Sequence, residues 1–338
     1  MGPQKDGGKA AAGGEAVEGE DPAVLLSNYQ KYAKLIGLAV NAGITKTCND
    51  EENRPLTQFV IDDEFGVLGP GGTRALMTSI MGSGPGMKGG PYKLLTSLRI
   101  WKSNVGDDGA AAIAEVLRLG GADVKIGYLE LLDNNIGPKG AMSLGHSLAQ
   151  GRNLSLLTLR LDYNAMLGLD GVSNLCRGLR TNMTLKQLHL NFCELQPDAG
   201  QPLSELLANS KSGLELLALS GNRLGGNGLQ ALCKGLMSNT KLIELRLADN
   251  MIESLDEDVV ALEALRECLL NPNVVLSKVD LLYNRIGKEG AEALAAAFQN
   301  FETNKKVEEF LVDLTLPMEL FETMFRRGGG GKKKGKKK

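Results

Sequence analysis

From residue 92 onward the apolar residues of this chain follow a compound spacing. Leucine or a β-branched equivalent stands at the first, fourth and sixth places of a short block, and an asparagine or small polar residue stands at the ninth. The blocks are Leu95/Leu98/Ile100/Ser103, Ile126/Leu129/Leu131/Asn134, Leu156/Leu159/Leu161/Asn164 and Leu185/Leu188/Leu190/Cys193, then Leu214/Leu217/Leu219/Asn222, Leu242/Leu245/Leu247/Asn250 and Leu276/Val279/Leu281/Asn284. The ninth positions recur 28 to 34 residues apart, a register that marks a tandem array. Within a block the period of two is that of a strand with one buried face.

After the asparagine, five units carry Gly-x-x-Gly (Gly106/Gly109, Gly137/Gly140, Gly168/Gly171, Gly225/Gly228, Gly287/Gly290), and the apolar period then lengthens. Ala141, Leu144 and Leu148 in one unit, and Leu229, Leu232 and Leu236 in another, have helical spacing. Each unit is thus strand, loop, helix, loop. Parallel strands stack about 4.8 Å apart, while neighbouring helices need about 8 to 10 Å. The stack therefore curves, with the sheet inside. The expected fold is α/β: a curved solenoid with a parallel β-sheet on the concave face and helices on the convex face. The asparagine amide is expected to satisfy backbone groups where the chain leaves the sheet, and Ser103 and Cys193 to donate in its place.

These blocks resemble the long, ribonuclease-inhibitor type of leucine-rich repeat, over roughly residues 92 to 316. That resemblance implies a horseshoe whose members mostly bind other proteins. Members include the ribonuclease inhibitor, whose abundant cysteines this chain lacks, and the Ran GTPase-activating protein. The latter supplies an alternative function, which a single-turnover GTP hydrolysis assay with Ran tests. Small repeat proteins of this type with Gly/Ala/Lys-rich ends are also similar to components of ciliary and flagellar axonemes. The resemblance thus implies a scaffold or adaptor in a cytoplasmic, cytoskeletal assembly, or alternatively a signalling adaptor.

Outside the array the composition changes. Residues 1–20 are Gly, Ala, Lys and Glu with few large apolar groups and are expected to be disordered. Residues 21–91 form an N-terminal cap and degenerate repeat. There Asp21-Pro22 starts a helix, with Leu25, Tyr29, Tyr32 and Ile36 on one face. Leu56, Phe59 and Ile61 imitate a strand, and Leu68-Gly69-Pro70-Gly71-Gly72 echoes the Gly-x-x-Gly loop. The stretch from Gly82 to Gly90 lacks the Gly-Lys-Ser/Thr order of a phosphate loop and is expected to be a flexible insertion. Val307, Phe310 and Val312 give the strand of a last, degenerate unit, 317–327 a closing segment, and 328–338 a flexible Gly/Lys tail.

That tail conceals a bipolar charge. Its six lysines, Lys332, Lys333, Lys334, Lys336, Lys337 and Lys338, leave 32 of the 38 basic residues in the rest of the chain against 40 acidic ones, a net charge of −8. The tail is expected to tether the protein to acidic surfaces such as tubulin, or to serve as a nuclear address. Five cysteines without a C-x-x-C pair suggest a reducing compartment. No run approaches a membrane span of about 20 apolar residues, and a soluble intracellular protein is expected. His146 is expected on a helix and His189 on a strand, without a triad partner. Asp256-Glu257-Asp258 reads as the first turn of the longest repeat helix. Neither catalysis, cofactor nor metal is expected.

The surface that the repeat does expose is the concave one, formed by the residues between and just after the pattern leucines. Arg99, Trp101, Arg160, Asp162, Tyr163, His189, Phe192, Arg246, Asp280 and Tyr283 are its candidate partner-binding residues, accompanied by Glu130, Leu132, Asp133, Asn191, Leu216, Ala218, Ser220, Asp249 and Leu282. They include the only tryptophan, and aromatic and arginine side chains commonly anchor interfaces.

Overall fold

The computed structural model describes residues 18–149 and 151–328. The tail from Gly329 and the expected disordered segment through Val17 lie outside the described residues. Two helices open the chain, α1 (Pro22–Leu35) and α2 (Ala42–Asn49), and strand and helix then alternate. The order is β1 (Gln58–Ile61), α3 (Gly69–Met81), β2 (Ser97–Trp101), α4 (Gly106–Leu119), β3 (Tyr128–Leu132), α5 (Pro138–Leu148), β4 (Thr158–Arg160) and α6 (Gly168–Leu179). It continues β5 (Gln187–His189), a 3-10 turn at Pro197–Ala199, α7 (Gly200–Leu207), β6 (Leu216–Ala218), α8 (Gly225–Leu236), β7 (Glu244–Arg246), α9 (Asp256–Leu270) and β8 (Lys278–Asp280). The chain then forms α10 (Gly287–Phe298), α11 (Phe301–Lys306), β9 (Glu309–Leu311) and α12 (Met318–Met324).

The nine strands form one parallel sheet in chain order, and their register equates the pattern leucines. Leu159 stands opposite Leu188, Leu188 opposite Leu217, Leu217 opposite Leu245, and Leu245 opposite Val279. All five are buried between sheet and helices. The sequence pattern and the curved solenoid it implies are present in full.

The asparagines lace successive turns together. Asn164 donates from Nδ2 to the carbonyls of Leu131 and Leu161, at 2.8 and 2.9 Å, and accepts at Oδ1 from the backbone N–H groups of Asn134 and Ile136. Asn134, Asn222 and Asn284 repeat this arrangement. Ser103 and Cys193 donate to Trp101 and Leu161 carbonyls, as their chemistry suggested. Yet neither side chain has an amide oxygen, so at Cys193 the lacing is one-sided.

A second lacing runs at the other end of the strands, three residues before the first pattern leucine. Asn153, Asn182 and Asn239 donate to the carbonyls of Leu117, Leu148 and Leu207 and accept from backbone N–H groups just ahead. The recurrent Asn-x-x-Leu was visible in the sequence but was overshadowed by the stronger leucine period.

Helix spacing is set by glycines. An added Cβ on Gly178 would lie 2.1 Å from the carbonyl oxygen of Gly145, so α5 and α6 meet backbone to backbone. Gly235 of α8 meets α7 similarly at Ser204. Between α6 and α7, by contrast, a groove of about 440 Å³ opens, lined by Leu169, Cys176, Arg180 and Pro202 among others. Here α7 is only 8 residues long and is preceded by a 3-10 turn. In the unit before it, the loop from Asn164 to Gly168 is one residue longer than that from Asn134 to Gly137, and the added Met166 projects into solvent.

Both ends are covered. Asp21 caps α1 by accepting from the Ala23 N–H, and Leu25 and Tyr29 are buried. Ile36, expected on that face, is exposed because the helix ends at Leu35. The insertion from Gly82 to Gly90 is pinned to α1, since Asn28 both donates to the Lys88 carbonyl and accepts from its N–H. At the other end the chain after α12 returns antiparallel to β9, and Phe310 and Arg326 exchange backbone hydrogen bonds at 3.0 and 2.9 Å. The short helices α2 and α11 escape the sequence reading because each is under about three turns and largely polar.

Candidate functional site

Three inward-facing rows cross the sheet. The middle row runs Arg99, Glu130, Arg160, His189, Ala218, Arg246, Asp280, each opposite the next. Its charges are layered. Glu130 accepts from the Tyr128 hydroxyl at 2.7 Å and lies 3.8 Å from Arg99 and 3.6 Å from Arg160. Asp162 accepts from Arg160 at 2.8 Å and, through its other oxygen, from the Asn191 N–H. The two carboxylate side chains are 5% and 2% exposed, whereas Arg99 and Arg160 are 34% and 32% exposed. Arg246, 45% exposed, covers Glu244, 15% exposed. The anions are consumed underneath and the guanidinium groups face outward.

Asp162 is therefore a support for Arg160, unavailable to a partner in its present position. Tyr128, which the sequence reading passed over, is part of the same cluster, with the Arg99 guanidinium 4.8 Å from its ring centroid. Its place directly before Leu129 puts it in the inward row with Ser97 and Thr158, the one signal that would have found it. Burial, and then the hydrogen bond to Glu130, raise the Tyr128 hydroxyl above its ordinary value.

His189 is 8% exposed, and both ring nitrogens are buried without a hydrogen-bond partner. Burial lowers its pKa from 6.5 to about 4; Asp162 and Glu130 pull upward, and Arg160 and Arg246 push downward. Below about pH 6.5 the unfolded chain takes a proton that the folded chain refuses until about pH 4, so folding stability falls as the pH drops through that window. The full penalty is about 3 kcal/mol. In urea unfolding at about pH 7 and about pH 4.5, His189→Gln is expected to lose less stability than the parent; equal losses would remove His189 from the acid response.

At the edge where the strands end, Tyr163, Phe192 and Tyr283 occupy equivalent positions with φ of 62, 54 and 61°. The left-handed turn throws their rings outward, and all three are substantially exposed. Tyr163 and Phe192 stack, centroids 4.7 Å apart and planes 6° from parallel. Gly221 continues this row, and a Cβ there would collide with Phe192, so the glycine gives the stacked pair its bed. Trp101 stands on β2, half-buried, two strands before Tyr163's unit, with Nε1 buried and unpartnered. Asp280 is half-buried near the C-terminal end, and burial raises its carboxyl. The six tail lysines proposed as an electrostatic site lie outside the described residues.

Elsewhere there is little chemistry. The five cysteines are buried and free, with Cys176 pushed up to about 12 by burial. Among the described residues no group of three or more His, Cys, Asp or Glu is placed to hold a metal ion. No helix of the described residues is long and apolar enough to cross a membrane.

The repeat architecture has counterparts among known proteins. A family model described as "Leucine Rich repeat" matches residues 126–145, 181–204, 214–233 and 273–295. Mouse ribonuclease inhibitor is 31% identical over 209 residues, 59% of this chain and 42% of that protein. The repeats of this chain are of the leucine-rich, ribonuclease-inhibitor type. Another such relative, human "NACHT, LRR and PYD domains-containing protein 5", is 30% identical over 207 residues, covering 59% of this repeat protein but 16% of the relative. The chain thus spans less than half the length of either relative. A Caenorhabditis elegans tropomodulin C-terminal domain superposes with a TM-score of 0.39 at 13% identity, over 50% of this chain and 95% of that one.

Proposed function

We propose that this leucine-rich repeat protein is a non-enzymatic scaffold that binds another protein on its concave face and along the adjoining strand-end rim, within a cytoplasmic assembly. Supporting this reading are the exposed Tyr163–Phe192 stack and, two strands away on the same side of the sheet, the half-buried Trp101. Rigid aromatic rings give contact area at low entropic cost, and such residues dominate interface energetics. The repeat fold itself supports a binding role.

The native partner is to be found by crosslinking mass spectrometry on the assembled complex. Replacing Trp101, Tyr163 and Phe192 together by alanine is expected to weaken its capture by about 2 kcal/mol or more per anchor while the protein stays folded. Full capture by the folded triple variant would sink the proposal and move the interface to the convex face.

We place the assembly, on resemblance to small repeat proteins of cilia and flagella, in the axoneme. The lysine tail is proposed to act there as a separate tether for acidic tubulin surfaces, its six like charges being the supporting observation. Cosedimentation with microtubules is expected to weaken with salt and to be largely lost on truncation after Arg327. Equal, salt-insensitive sedimentation of both forms would reject the tether.

A further inference from the structure

Hydrogen-bond accounting on the concave face is incomplete in a directional way. Six buried side-chain polar atoms among the described residues have no partner, and five belong to this face: Ser97 Oγ, Arg99 Nε, Trp101 Nε1 and both nitrogens of His189. Buried polar atoms are normally satisfied, so five unmet ones gathered on a single face call for an explanation, of which a bound partner is one. Trp101 and Arg99 offer only donors, Ser97 and His189 at least one each. Unmet donors thus outnumber unmet acceptors on this face, the latter being the Ser97 hydroxyl and one nitrogen of the neutral His189.

Its charge points the same way. Arg99, Arg160 and Arg246 stand outward over Glu130, Asp162 and Glu244, so an approaching partner meets guanidinium groups first. We propose that the partner presents an acidic segment to the concave face, lying across the strands from β2 to β7, its carboxylates received by Arg99, Arg160, Arg246 and His189. This deepens the scaffold reading and rests on it. β2 and β5 are three strands apart, about 14 Å at the usual spacing. A segment reaching both Trp101 and His189 is therefore extended and crosses the strands rather than pairing with an edge.

The placement of His189 couples binding to protons. Facing it are Asp162 and Arg160 from β4 and the loop after it, Glu130 from β3 and Arg246 from β7. A carboxylate arriving from the partner adds an anion to that set and favours the imidazolium, so the complex takes up a proton that the free protein declines. A nucleic acid is the less suitable polyanion. Away from the tail the chain carries a net charge of −8, which repels a long phosphate backbone, whereas a short acidic segment can follow the guanidinium row and leave the exposed Asp133 and Asp249 at the strand ends uncovered.

Trp101 is the only tryptophan in the sequence, so its emission reports on this face. The full chain is titrated with a short glutamate-rich peptide, with a lysine-rich peptide and a single-stranded oligonucleotide as competing probes. The glutamate peptide is expected to give a saturable change in Trp101 emission, weakened by salt and about threefold to tenfold tighter at about pH 5.5 than at about pH 7.5. Arg246→Gln, at an exposed position, is expected to weaken it about tenfold. His189→Gln should lose the pH dependence, its affinity at about pH 5.5 falling to that at about pH 7.5. An unchanged emission, or a stronger response to the lysine peptide or the oligonucleotide, overturns the acidic-segment assignment. If native-partner capture still requires Trp101 in that event, the concave scaffold survives and only its ligand chemistry is wrong; if capture is indifferent to Trp101 as well, both fall.

Discussion

Leu245→Ala is expected to destabilise the protein by about 2 to 5 kcal/mol, and Arg246→Ala, one residue on, to leave it nearly unchanged. Leu245 is fully buried, flanked by Leu217 and Val279 on the neighbouring strands. Truncation leaves a cavity walled by sheet and helices that cannot collapse without shifting two adjacent repeats. Arg246 has an exposed guanidinium and a surface ion pair with Glu244, which contributes little to folding. Thermal or urea unfolding of the two variants provides the comparison. A silent Leu245→Ala together with an unfolded Arg246→Ala would invert the assignment of inner and outer faces and remove the basis of the binding surface.

Gly178→Ala is expected to carry the opposite sign from the ordinary helix substitution. Within a helix, alanine in place of glycine normally adds about 1 kcal/mol of stability. Here the new methyl would sit 2.1 Å from the Gly145 carbonyl oxygen, a contact with backbone rather than with a side chain that can turn aside. α5 and α6 would have to separate, and a loss of about 2 to 4 kcal/mol follows. Measured unfolding free energies decide it. A neutral or stabilised Gly178→Ala would mean that the helices do not meet at that point.

These two residues show what was and was not legible in the sequence. Leu245 belongs to a local pattern repeated along the chain, and its burial follows from register alone. Gly178 lies outside the Gly-x-x-Gly loops, and its role depends on which residue of another repeat faces it, which a linear pattern does not carry. The same division holds at the binding surface. Alternation placed Arg99, Arg160, His189 and Arg246 on the inner face, and position relative to the asparagine placed Tyr163, Phe192 and Tyr283 at its edge. That Asp162 lies beneath Arg160, or that Gly221 seats Phe192, depends on contacts between adjacent turns. The charge layering was hidden for the same reason, since a row of alternating signs does not say which members sink.

The one-sided lacing at Cys193 and the groove between α6 and α7 fall at a single junction, that between the repeat of β4 and the repeat of β5. On the inner side the amide oxygen that braces other turns is missing there; on the outer side the helices stand apart. With bracing reduced on both sides at once, this joint resists bending less than a turn that is laced by an asparagine and packed glycine to backbone, such as that between α5 and α6 on its outer side. The Tyr163–Phe192 stack spans the same junction, one ring from each repeat. A partner that gripped both rings would splint this joint, holding the two repeats at one angle.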